Sequence, residues 1–197
     1  MTATRNTMPL SEKELVTVLK QARATSARDW AMTLLSWRHG MRASEIVGLK
    51  LTDVDMKTGE IVIRRKKNSL TSHHHLEKVD GRPEMDEKKA LRAYFKVRPE
   101  SDSEFLFLSR KGKNRMTTVQ WWRRFRDIAK KAGITDGRAH PHTLKTSMGS
   151  LLANDGQPVT MIQQTLGHRS LNSSLFYMKA TPRQAERSVR KALADMF

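Results

Sequence analysis

Apolar residues in the first part of the chain recur with the period of an α-helix. In "LSEKELVTVLKQA", Leu15, Val18 and Leu19 fall on one stripe, Ser11 is placed to cap, and Glu14 three residues on completes a capping box. "ARDWAMTLLSWRHG" is almost apolar from Trp30 to Trp37, which predicts a second, central helix ended by Gly40. "ASEIVGLKLTDV" reads as a short helix after a tight turn. The pattern then changes. The Lys57-Thr58-Gly59 turn and the β-branched run Ile61 to Ile63 predict a hairpin, and polar "KNSLTSHHHL" returns as a third strand. The helical period resumes from Glu84 to Lys96, and "EFLFLS" is a brief strand or a buried turn. "TTVQWWRRFRDIAKKAG" predicts a helix capped by Thr117 or Thr118 and stopped at Gly133. Helices follow over about 142–154, 158–166, 171–179 and 182–196, broken by Gly156, Pro158, Gly167 and Pro182. The sum is a mainly α (α+β) fold: a helical bundle with a small three-stranded antiparallel sheet inserted near its first third. Residues 1–8 lack periodicity and read as a flexible N-terminus to a single domain over 9–197.

Charge changes the picture. The chain holds 37 Lys and Arg against 20 Asp and Glu, a formal +17 spread along its whole length. A folded surface so positive attracts a polyanion, and nucleic acid is the commonest one. Anionic membrane competes, but no apolar run approaches the roughly 18 residues of a spanning helix, and no secretory segment follows Met1. Cysteine is absent, which removes disulfides, thiolate catalysis and zinc–cysteine sites, and suits a reducing cytoplasm. The bland alternative is a basic protein with no chemistry, such as a ribosome-associated one.

Three segments carry polar groups that packing does not need. In "HGMRASEIVGL", Arg42 sits in a turn with Glu45 one helical turn on, an arrangement that could equally be a surface ion pair. In "HPHTLKTS", Pro141 fixes the entry to a helix from which His142 and Lys145 project on one face. In "LGHRSLNSSLFY", His168 lies at a helix junction and Tyr177 follows nine residues later; alone, such a tyrosine is usually a half-buried packing residue. Taken as a set, cations, imidazoles and a phenol suit a phosphodiester: cations neutralise the non-bridging oxygens, imidazoles move protons and the phenol attacks. Asp53 and Asp55 are the nearest approach to the carboxylate cluster of a magnesium site, so the reading is metal-free attack without a cofactor.

The order and spacing of "GMRASE", "HTLKT" and "LGH" with its tyrosine resemble the tyrosine recombinases, or phage integrase family, most nearly the short recombinases that invert fimbrial promoter segments. The resemblance spans about residues 9 to 180. It implies site-specific cleavage and rejoining of double-stranded DNA, for integration, excision or inversion, through a 3′-phosphotyrosine. It makes Tyr177 the nucleophile, Arg42 a clamp on the phosphate oriented by Glu45, and His142 and His168 phosphate ligands and proton carriers. The hairpin lysine that acts as general acid falls on Lys67, with Lys66 its alternative. Lys145 stands where the family has a second arginine, keeping the charge but losing the planar fork, and Thr146 replaces a common histidine.

The resemblance further places Arg65, Lys66, Arg123, Arg124 and Arg169 against DNA. It implies a homo-tetramer on DNA, a last helix that either covers its own core or docks on a neighbour, no separate N-terminal DNA-clamping domain, and a cytoplasmic, nucleoid-associated place of action in a bacterium or phage. "HHH" at 73–75 reads as a solvated or phosphate-facing strand rather than a metal site. In "WWRRFR", Trp121, Phe125 and Ile128 form a packing stripe while the arginines face outward. Two other activities stay open: a DNA-binding regulator whose chemistry is reduced or lost through Lys145, and supercoil relaxation of the type IB topoisomerase kind.

Overall fold

The computed structural model describes residues 8–65, 71–109, 112, 114–178, 189, 190, 193, 194 and 196. Helix α1 (Glu12–Thr25) begins at the expected box: the Ser11 hydroxyl accepts from the Glu14 amide, and the Glu14 carboxylate accepts from the Ser11 amide at 2.8 Å. Ser26 then caps α2 (Ala27–Arg38), accepting from the Asp29 amide at 3.0 Å. Every residue of α2 from Asp29 to Trp37 is buried, and the helix packs against α1, α4 (Glu87–Val97) and α6 (His142–Asn154). Each fully buried Leu or Met of this helix stabilises the fold by about 1.5–3 kcal/mol relative to exposure.

After α3 (Ala43–Ile46) and a 3₁₀ turn at Leu51–Asp53, strand β1 (Val54–Asp55) opens the sheet. The Asp55 carboxylate accepts from the amides of Lys57 and Thr58 at 2.7 and 3.2 Å, which folds the chain back into β2 (Glu60–Ile63). Strand β3 (Ser72–His75) completes an antiparallel sheet in the order β1-β2-β3, with Glu60 opposite His75 and Ile63 opposite Ser72. Opposed residues share a face, so buried Ile61 brings His74 inward while His73 and His75 stay exposed.

Helix α4 starts at Glu87 rather than Glu84. Pro83–Met85 instead forms a 3₁₀ turn whose Glu84 carbonyl accepts the Trp30 indole N–H at 2.8 Å, and Asp86 caps the helix through the Lys89 amide. "EFLFLS" is the buried turn of the two readings: Leu106, Phe107 and Leu108 are buried, joined to the rest by the isolated bridges Lys50–Phe105 and Leu108–Arg115. Helix α5 (Thr118–Lys131), capped by Thr117, buries Trp121, Phe125 and Ile128 as its stripe predicts. Helix α7 (Val159–Leu166) and the short α8 (Asn172–Leu175) follow α6, and the helix expected over 171–179 tightens to a 3₁₀ turn at Phe176–Met178. Most of the segment 182–196 lies outside the described residues. Among those described, no helix is long and apolar enough to cross a membrane.

Candidate active site

The turn between α2 and α3 sets the first cation. Glu45 is fully buried and reaches back over one helical turn: its Oε1 takes the Arg42 guanidinium at 2.8 Å and its Oε2 takes the Arg42 amide at 2.7 Å. The Arg42 side chain stays 39% exposed, so its guanidinium is oriented from below and open above. It opens onto a groove of about 1130 Å³ that is also lined by Ser44, Thr118, Trp122, His140 and His142. Burial pushes the Glu45 carboxyl up, but the Arg65 charge and the bonds from Arg42 outweigh it and hold the group below its ordinary value.

Helix α6 supplies the second set. His142 and His140 stack with ring centroids 6.4 Å apart, and burial, then the nearby His140, Lys145 and Arg42, push His142 below its ordinary value. Lys145 is 1% exposed, and its ammonium donates to the carbonyls of Gly40, at 2.9 Å, and Leu166. Burial, followed by Arg42 and Arg65, lowers its pKa to about 7, against the pull of Glu45. Lysine thus carries the charge that the resemblance asks for only below about pH 7, and spends two of its three donors on two turns of the backbone.

The turn after α7 brings His168. Gly167 ends that helix in the left-handed region at φ 59°, where glycine carries no steric penalty. A Cβ there would also stand 2.5 Å from Arg65 Nε. His168 is buried, its Nδ1 is 2.9 Å from the Ser174 hydroxyl, and burial with the Lys145, Arg42 and Arg65 charges lowers its pKa to about 4. The Tyr177 ring lies nearly parallel to His168, centroids 6.1 Å apart, and against Gly149, where a Cβ would meet the ring at 2.7 Å. Its hydroxyl shares a hydrogen bond with Thr146; burial raises the phenol above its ordinary value while Thr146 and Arg42 pull the other way. Arg42 and His142 therefore line the groove, while His168, Tyr177 and the buried cations Lys145 and Arg65 gather behind them, the chemistry of an acid–base site for an anion.

Other expected residues fall differently. Lys66 and Lys67 lie outside the described residues. Arg65, expected on DNA, is corrected: its side chain has no exposed surface and is paired with Glu45 at 2.8 Å. The reason is that the alternation of β2 continues past its end, so Arg65 turns inward like Ile61 and Ile63 and its charge serves the 39–40 turn. Arg123 and Arg169 are exposed, whereas Arg124 is held by the buried carboxylate of Asp29. His74 packs edge-on against buried His39, centroids 4.8 Å apart, and burial lowers its pKa to about 4, so only His73 and His75 of the triple fit a solvated strand. Asp53 is buried and taken by the Lys50 amide and by Arg64. Three residues escaped sequence reading: Ser174, Gly149 and the bonding role of Thr146. Gly149 left a signal, a helix-weakening residue one turn after Lys145; nothing marked Ser174 over Ser173.

Residues 9–184 match the phage integrase family, nearly the whole chain. The chain belongs to that family. It is 38% identical over 154 residues to the type 1 fimbriae regulatory protein FimE of Escherichia coli strain K12, across 78% of this chain and 75% of FimE. FimB of the same strain is 37% identical over 174 residues, 85% of this chain and 82% of FimB. The crystal structure of XerA recombinase superposes with a TM-score of 0.78 at 26% identity, covering 94% of this chain and 65% of that one. The phage integrase member described here is thus an enzyme of the tyrosine recombinase class, and its helical fold with a three-stranded antiparallel sheet agrees with that of XerA.

Proposed function

We propose that the chain binds double-stranded DNA and cuts and rejoins it at specific sites through a 3′-phosphotyrosine, so that a DNA segment is inverted, excised or integrated. The observation that carries this reading is the seat of Tyr177: its phenol lies beside Thr146 and His168 within the field of Arg42. The chain has two tyrosines. The other, Tyr94, is 1% exposed, with its hydroxyl donating to the Leu106 carbonyl, so it cannot meet DNA.

In the cleavage step the Tyr177 oxygen attacks phosphorus, and its proton passes to a neutral imidazole of the His142–His168 pair. Arg42 and Lys145 offset the charge that grows on the non-bridging oxygens. The bond from phosphorus to the 5′ oxygen breaks, and Lys67 gives that oxygen a proton, releasing a 5′-hydroxyl. Lys66 is the alternative donor. Attack by the 5′-hydroxyl of another strand reverses these steps, and the phosphotyrosine conserves the bond energy, so neither ATP nor a cofactor enters. Exposed Arg123 and Arg169 serve as phosphate contacts. Val189, Leu193 and Met196 are exposed, which supports docking of the last helix on a neighbour in a DNA-bound homo-tetramer. Such work belongs in the cytoplasm, on the nucleoid.

The test incubates the protein with nicked fragments of its source genome, in which the released strand diffuses away and traps the intermediate. Native protein should give a covalent adduct that survives denaturation, and Tyr177→Phe none. An adduct with Tyr177→Phe, or no adduct on any fragment, contradicts the reading. One observation favours a second reading, weakened chemistry: the Lys145 ammonium is engaged by two carbonyls. If that reading holds, Lys145→Arg raises cleavage at least tenfold; an unchanged or lower rate speaks against it.

A further inference from the structure

Arg65 makes four side-chain hydrogen bonds inside the protein, and no step above uses it. Its side chain is wholly inside the protein, yet it reaches three separate segments. One arm, Nη1, donates to Glu45 Oε2 at 2.8 Å and to the Gly40 carbonyl at 3.3 Å. The other, Nη2, donates to the His39 carbonyl at 3.0 Å and to the Thr165 carbonyl at 2.8 Å. The same guanidinium lies where Gly167 has no side chain, with the would-be Cβ 2.5 Å from Nε and 2.7 Å from Cδ. Strand β2, the Arg42 turn and the end of α7 therefore meet on one planar group.

A buried arginine–glutamate pair is a poor way to gain stability, because desolvating both ions costs about what their attraction returns. An apolar side chain would fill the space at less cost. What the pair does supply is geometry. Glu45 divides its two oxygens, Oε1 to the half-exposed Arg42 and Oε2 to Arg65. Its carboxylate plane is thereby pinned from below, and with it the direction of Arg42. Lys145 crosses the same junction, from the Gly40 carbonyl to the Leu166 carbonyl. A lysine ammonium cannot fix an angle as a guanidinium fork does; in this chain the fork stands at residue 65.

We propose that Arg65 is a positioning residue for strand cleavage: by tying Glu45, the 39–40 turn and the end of α7 together, it sets the reach of Arg42 and the seat of His168. The proposal rests on the reading that Arg42 neutralises the scissile phosphate. The test measures single-turnover cleavage of the nicked duplex that gives the adduct, in two forms, with the natural scissile phosphate or with a methylphosphonate in its place. The methylphosphonate is uncharged and so has little need of Arg42.

Arg42→Ala should lose about a hundredfold to a thousandfold on the phosphate, and under tenfold on the methylphosphonate. Arg65→Met should repeat that selective pattern at about one-tenth the size, with Arg65→Lys between it and native. Arg65→Lys keeps the charge and serves as the deciding variant if Arg65→Met does not fold. Equal losses on both substrates, or none, in the folded Arg65 variants beside a selective Arg42→Ala overturn the positioning role alone. An unselective Arg42→Ala overturns the assignment of Arg42 itself, and the proposal with it.

Discussion

Lys145 shows how one side chain can be tied to both stability and activity. Its ammonium donates to the buried carbonyls of Gly40, which Arg65 also reaches, and Leu166; stranding the Leu166 acceptor costs about 1–3 kcal/mol. Lys145→Ala should therefore lower the unfolding free energy by that order in urea melts. The pH dependence has a definite sign. In the folded chain the amine titrates at about 7, below its ordinary 10.5, so between those values the unfolded chain holds a proton that the folded one has released. Native stability relative to Lys145→Met should rise across that window, by at most about 1.4 kcal/mol per pH unit, and a flat difference contradicts it. Gly149 makes the opposite case. Alanine suits a helix better by about 1 kcal/mol, but its Cβ would stand 2.7 Å from the Tyr177 ring. Gly149→Ala should fold as well as native and lose tenfold or more in adduct formation. The motif residues were legible because their chemistry is odd for packing. Arg65 was misread because charge in a sequence does not tell which side of a strand end it leaves by.

At the scale of elements, local signals did well where the causes were local. The Ser11–Glu14 box is a backbone matter within one turn, and α1 begins there. What the spacing could not show is that Glu14 also takes Arg138, with bonds of 2.7 and 2.9 Å, fastening α1 to the loop that enters α6 at Pro141. The hydrogen bond from Arg138, then that from Ser11, holds the Glu14 pKa at about 2, below its usual 4.5. Its folded pKa is the lower one, so this contribution is full above pH 4.5 and is lost as pH falls toward 2. Glu14→Gln should shift acid unfolding, followed by circular dichroism, toward higher pH; an unchanged midpoint would deny the contact. The late start of α4 has a tertiary cause, the Trp30 indole on the Glu84 carbonyl, which no window of the local pattern contains.

For the whole molecule, the fold class followed from periodicity and order along the chain suggested the candidate set, but the proximity of Arg42, His142, Lys145, His168 and Tyr177 depends on packing of α6 and α7 against the α2–α3 turn. Surface charge carries the DNA claim. Each phosphate contact contributes about −0.9 to the slope of log K against log salt. Arg123→Ala or Arg169→Ala should make that slope shallower by about one, while buried Arg65→Met leaves it unchanged. The measurement closest to the central claim is to digest the trapped protein–DNA adduct and locate the bound nucleotide by mass spectrometry. The peptide carrying it should contain Tyr177, joined to a 3′-phosphate, with a free 5′-hydroxyl on the released strand. A nucleotide on any other residue, or a 5′-phosphate linkage, would contradict the account.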